Sequence, residues 1–254
     1  MRLRNGMRGV AAGSALIVAL ALAACAPSNV ATTRAYEGAK LPRPDAIVVN
    51  DFTVASEGVQ LDRGLGSRAE RILSGGSTAE AEQRLGRSVA NAVSDTLVAE
   101  LRAAGLPAAR ASDPVGSTGT NRLIVTGELM SIDQGNRTRR TLIGLGAGQS
   151  RVASDTNVTY SITEGGERSL LGFRADAESA RKPGAVGTMG VGAATGRLAS
   201  SAAVAAGTSV GGPAVTDTLD PSVEADARRM ARGIAEKIED FAQQQGWLPA
   251  QPTR

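Results

Sequence analysis

Histidine is absent from the 254 residues, and cysteine occurs once, at Cys25. Lysine is confined to Lys40, Lys182 and Lys237, and the aromatic side chains are three Phe, two Tyr and one Trp. Each shortage excludes something. Without histidine the chain lacks the commonest general base and metal ligand. A single thiol can form no disulfide within the chain. Ser-His-Asp triads and zinc sites built on His and Cys are outside this inventory. None of the three lysines sits in a recognisable catalytic setting. We therefore expect no catalytic residues, no metal and no cofactor beyond a covalent lipid, argued below. With so few aromatics the core must come from Val, Ile, Leu and Ala, which is adequate for one modest domain.

A surplus of positive charge is missing too, once the first residues are set aside. The chain holds 28 Lys+Arg against 25 Asp+Glu, and the difference is Arg2, Arg4 and Arg8. The remainder is formally neutral, which gives no ground for a nucleic-acid partner.

Those three arginines open a recognisable leader. Met1–Val10 carries no acid, and Ala11–Ala24 is apolar and small around Ala15-Leu16-Ile17-Val18-Ala19-Leu20. A basic start followed by a short apolar run is the pattern of a secretory signal peptide, too short for a comfortable transmembrane helix. The run ends in Leu22-Ala23-Ala24-Cys25, which resembles the lipobox of bacterial lipoproteins. The resemblance implies that the signal peptidase recognises Leu22, Ala23 and Ala24, that the Cys25 thiol receives a diacylglycerol, and that cleavage precedes Cys25. Two or three acyl chains would anchor firmly, at roughly 0.8 kcal/mol per buried CH₂. Ala26 follows where an aspartate often signals inner-membrane retention. The expected location is the cell envelope, on the outer membrane facing the periplasm.

We expect residues 1–24 as signal peptide, 25–44 as a lipidated flexible tether, 45–248 as a single α+β domain, and 249–254 as a tail. Ala46–Val54 is rich in β-branched residues and predicts a strand. Five glycines between Ser56 and Gly76 predict an exposed loop. Ser77 and Glu80 have capping-box spacing ahead of a stripe at Ala81, Leu85, Val89, Ala92, Val93, Thr96, Leu97 and Leu101. Gly105 and Pro107 stop that helix. Leu106–Ala111 suggests a short edge strand. Arg122–Asp133 suggests a central strand with apolar residues on both faces, Leu123, Val125 and Leu129 against Ile124, Met130 and Ile132. Arg151–Thr163 alternates clearly, and a hairpin turn at Glu164–Glu167 leads to a returning strand with Leu171, Phe173, Ala175 and Ala177 on one side. Residues 184–219 form a glycine/alanine-rich loop inside the domain. Asp220-Pro221 starts a last helix whose stripe is Val223, Ala227, Met230, Ile234, Ile238 and Phe241. The fold class is α+β: a mostly antiparallel sheet of about four to five strands with two amphipathic helices packed on one face.

The densest feature is Asp133–Arg151, where Arg137, Arg139 and Arg140 precede Gly144, Gly146 and Gly148. Glycine-rich backbone can present N–H groups to an anion, and arginine suits phosphate or carboxylate. A dinucleotide fingerprint, however, needs a strand before it and a helix after it, and a strand follows here. Two readings remain, a plain connection with solvated arginines and an interaction surface. Asp51 and Glu128 fall within the predicted strands, as a buried acid pair or on a solvated face. The segment R-x-x-R-R-x-x-I-G-x-G-x-G-x-S, with the V-V-N-D-F strand and the last helix, resembles a bacterial lipoprotein family known as domain of unknown function 4410. That resemblance spans about residues 45–245 and implies an envelope lipoprotein, with no catalytic residues to carry over. The expectation is a non-enzymatic lipoprotein, anchored to membrane lipid through acylated Cys25, that binds an envelope protein partner or itself through Arg137, Arg139, Arg140, Gly144, Gly146 and Gly148. It would serve as an auxiliary or scaffold subunit of a transport, secretion or assembly system. The alternative is an oligomeric membrane-perturbing or channel component using the glycine-rich segments.

Overall fold

The computed structural model describes residues 28–75, 77–113, 120–143, 147–162, 166–179 and 221–249. Leu22–Cys25, the turn at 164–165, Gly144, Gly146, residues 184–219, the Asp220 cap and residues 250–254 lie outside the described residues.

The elements in chain order are β1 (Ser28–Arg34), β2 (Ala46–Val49), β3 (Thr53–Val54), β4 (Val59–Gln60), α1 (Leu65–Ser74), α2 (Thr78–Ala103), β5 (Ala108–Arg110), β6 (Asn121–Asp133), α3 (Arg137–Leu142), β7 (Arg151–Ile162), β8 (Gly166–Glu178) and α4 (Pro221–Gln245). One sheet contains all eight strands, in the order β1-β8-β7-β6-β2-β5, with β3 and β4 also on β6. The protein is α+β as expected, but the sheet is larger and more mixed. The pairs β1–β8, β8–β7 and β7–β6 are antiparallel. The pairs of β6 with β2, β3 and β4, and of β2 with β5, are parallel. Parallel neighbours need a long crossover, and α2 supplies it between β2 and β5.

Two expectations about loops are corrected. The segment assigned to a flexible tether contains β1, which pairs with β8 from Ser28 opposite Ala177 to Arg34 opposite Gly172. The chain beyond it is fixed as well. Leu41 N–H donates to Gln245 Oε1 at 2.8 Å, and Trp247 Nε1–H donates to the Leu41 carbonyl at 3.0 Å. The glycine-rich stretch at 56–76 likewise contains β4 and α1.

The two long helices cover one face of the sheet, α4 against β1, β8 and β7 and α2 against the β2–β5 half. Helix α2 starts with a complete capping box: Glu80 N–H donates to Ser77 Oγ at 3.1 Å, and Ser77 N–H donates to Glu80 Oε2 at 3.3 Å. Its residues Leu85, Val89, Val93, Leu97 and Leu101 are buried, as is the whole predicted stripe of α4. Each such side chain contributes roughly 1.5–3 kcal/mol on leaving water. Strand β6 is central, but its two faces are unequal. A register shift between Leu129 and Ser131 turns Ile132 to the helix side beside Leu123, Val125 and Leu129, and leaves Met130 exposed. The opposite face of the antiparallel half carries Arg151, Asp155, Arg174 and Asp176, cross-linked by ion pairs such as Arg174–Asp155 at 2.9 Å.

Register also defines two ends. Ser28, Ala177, Val152, Ile132 and Val59 are consecutive partners across β1, β8, β7, β6 and β4. This row marks the near end. The far end holds Tyr36, Tyr160, Phe241 and Trp247, whose rings meet at centroid distances of 5.4–6.4 Å.

Candidate functional site

The arginine segment lies at the near end, immediately after β6. Asp133 Oδ1 accepts the Gly135 N–H at 2.7 Å, and Asn136 N–H donates to the Gly148 carbonyl at 3.1 Å. Gly135 and Gly148 have φ of +70° and +74°, and a Cβ on either would overlap the facing backbone. Gly148 therefore serves this backbone crossing, a structural role that anion binding does not require. Asn136 Oδ1 accepts the Arg139 N–H at 2.9 Å and starts α3.

Helix α3 is tied to α1 by a carboxylate that sequence reasoning missed. Asp62 is buried and follows β4. It accepts the Gly64 N–H at 2.7 Å, the Ser67 hydroxyl at 2.7 Å and the Arg137 N–H at 3.2 Å. Burial acts to raise its pKa, but these donors, with the Arg137 charge, outweigh it and hold the carboxyl below its ordinary value. Both short helices thus begin at one anion.

The three arginines part ways. Arg137 and Arg139 are exposed. Arg140 turns inward: its guanidinium donates to Ser222 Oγ at 2.6 Å, to Ser150 Oγ at 3.4 Å and to the Gln134 carbonyl at 3.3 Å. Arg140 is therefore removed from the expected contact surface. Beyond it lies Asp226 of α4, fully buried, accepting from Ser150 Oγ at 2.6 Å and from Arg229. Arg229 also donates to the Glu178 carbonyl at 3.0 Å, and Ser150 N–H donates to Ser179 Oγ at 3.1 Å. Burial pushes the Asp226 carboxyl up to about 6, against the lowering effect of Ser150, Arg229 and Arg140. The spacing Val223, Asp226, Ala227, Met230 did signal a carboxylate within the buried stripe. With Ser150 also buried, this network joins α3, β7, β8 and α4.

Around these supports the near end is unusually apolar and basic. Ile72 and Leu73 of α1 are 75% and 88% exposed, and Leu142 and Ile143 at the end of α3 are 51% and 49% exposed. Arg63, Arg68, Arg137 and Arg139 are exposed on the same two segments. Elsewhere, Asp51 and Glu128 are exposed, and Asp51 pairs with Arg110, so they form no buried acid pair. Among the described residues no group of three His, Cys, Asp or Glu could hold a metal, and no helix is long and apolar enough to cross a membrane.

The family profile described as "Domain of unknown function (DUF4410)" matches residues 47–196, more than half of the chain. No curated protein sequence matches it. Among solved structures, a PelC dodecamer from Paraburkholderia phytofirmans is 13% identical over 62% of this chain and 86% of its own, with a TM-score of 0.33. A candidate lipoprotein from Caulobacter crescentus CB15 is 14% identical over 64% and 87%, with a TM-score of 0.28. A Xanthomonas campestris protein of the DUF330 family is 10% identical over 85% and 94%, with a TM-score of 0.34. Scores this low carry no argument about function.

Proposed function

We propose that this chain, which belongs to the DUF4410 family, is a lipid-anchored lipoprotein of the cell envelope that binds another envelope component without catalysing a reaction. Acylated Cys25 holds it on the outer membrane facing the periplasm, and the near end carrying Arg137 and Arg139 is the contact region. It acts as an auxiliary or scaffold subunit of a transport, secretion or assembly system.

The observation that carries this reading is the exposed arginine and aliphatic surface built on α1 and α3. Large aliphatic side chains gathered at one end of a domain, beside cations held on a rigid framework, suit contact better than solvation. The Leu22–Cys25 motif adds the anchor. The test is co-purification from native membranes in mild detergent, comparing the parent with Cys25→Ser and with Arg137→Ala/Arg139→Ala. Arg140 stays untouched because its guanidinium belongs to the buried network. A stoichiometric companion that is lost from both variants supports the reading. A companion retained by both removes the near end and the anchor from the account.

A further inference from the structure

We infer that the envelope component met by the near end is an anionic bilayer surface, with α1 and α3 lying against it. The inference rests on the lipid-anchor reading above and names the partner of that same surface.

The first argument is where the chain leaves the domain. Ser28 lies in the row Ser28–Ala177–Val152–Ile132–Val59, so the N-terminal exit and the turn into Asp62 share one end of the sheet. The row crosses four strand-to-strand steps, about 19 Å in all. Cys25 is three residues before Ser28. Three residues reach at most about 11 Å, so an acylated Cys25 holds this end, and not the aromatic far end, close to the lipid.

The second argument is amphipathicity without a protein partner. Ala69, Ile72 and Leu73 of α1 recur at helical spacing, and all three are exposed. A stripe that elsewhere in this chain would face the sheet faces outward here. Leu142 and Ile143 repeat the arrangement at the end of α3. Both helices start at Asp62 and are short, about 15 Å and 9 Å by rise, so the four aliphatic residues at their far ends stand within roughly 25 Å of one another.

The third argument is charge. The exposed charged side chains described on these two segments are Arg63, Arg68, Arg137 and Arg139, while Asp62 is buried and Asp133 half-buried. Asp62 and Asp133 are already occupied by hydrogen bonds within the turns. A basic, aliphatic-tipped surface matches an interfacial helix on anionic headgroups, where each arginine near the surface strengthens partition about fivefold.

The test uses the mature lipidated protein, in which acylation leaves no free thiol. Leu73→Cys at the near end and Arg168→Cys at the far end are each labelled with a polarity-sensitive fluorophore. The proteins are reconstituted into phosphatidylcholine vesicles with and without phosphatidylglycerol. The expected result is blue-shifted emission at position 73, quenched by spin-labelled lipid, in the phosphatidylglycerol vesicles. Position 168 should stay water-like. Raised salt, or Arg68→Gln/Arg139→Gln, should weaken the signal at 73 by at least tenfold in lipid affinity. Water-like emission at both positions in anionic vesicles overturns the proposal. So does a signal at 73 that persists in detergent and falls on protein dilution, since that marks a protein interface. The mass of the purified protein reads the anchor separately: an unmodified Cys25 sinks the lipoprotein reading, whatever the probe at 73 reports.

Discussion

The two ends of the sheet treat their large apolar residues in opposite ways. At the far end, Tyr36, Phe241, Trp247 and Tyr160 pack ring against ring, and their polar atoms are satisfied. Trp247 donates to the Leu41 carbonyl and the Tyr160 hydroxyl to the Pro42 carbonyl, both at 3.0 Å. At the near end, the polar groups are fixed inside by Asp62 and Asp226, while Ile72, Leu73, Leu142 and Ile143 face outward. One end is closed by its apolar residues and the other is framed by its polar ones. Ring packing and buried polar networks thus hold different parts of the same sheet.

The largest effect that would break this contrast lies at the far end. Trp247→Ala removes two ring contacts and a half-buried hydrogen bond, and should lower unfolding free energy by about 3–5 kcal/mol in denaturant titration. A loss below 1 kcal/mol would mean that the aromatic cluster does not close this end.

The two buried aspartates give the next test, and their signs differ. The Asp226 pKa is raised, so the native state holds that proton more tightly than the unfolded chain does. Its stabilising share is complete below about pH 4 and disappears as pH rises to about 6, a fall of at most roughly 3 kcal/mol. Asp226→Asn removes this descent, so the stability difference between variant and parent should widen in the variant's favour from pH 4 to 6.5. Asp62 is the reverse: its pKa is lowered, so its share is present above the ordinary carboxylate pKa and vanishes as pH falls through the lowered one. Asp62→Asn should weaken the protein at pH 7 and match the parent in strong acid. Urea titrations across this range check both, and parallel curves would refute them.

Smaller effects sharpen the picture. Ser77→Ala breaks the capping box of α2 and should cost about 1 kcal/mol by thermal or chemical unfolding. Ile72→Ser/Leu73→Ser should change stability by less than about 0.5 kcal/mol, since both side chains already face water. A larger loss would show that the near-end stripe belongs to the core after all.

The sequence revealed those parts whose pattern is set by one dominant neighbour. Helices α2 and α4 and strands β6, β7 and β8 bury one continuous face, so their periodicities of 3.6 and 2 are visible. Strand β1 was hidden because Val30 is its sole large apolar residue, and an edge strand pairs on one side only. The strands β3 and β4 have two residues each, too few for any period. Helix α1 was obscured by Gly64, Gly66 and Gly75 around it and by a stripe that seeks no contact within the domain. At the candidate site, Arg137 and Arg139 are exposed, as a contact surface or a solvated connection would equally have them. The inward turn of Arg140 was not legible, because its partners Ser150 and Ser222 are separated from it by 10 and 82 residues.

The pairing of β1 with β8 also orders events in time. A chain made from its N-terminus holds Ser28–Arg34 with no strand to join until Gly172–Ala177 has been synthesised, well over a hundred residues later. Closing so long a loop is slow compared with forming a helix or a hairpin. The first strand to emerge is therefore among the last to settle.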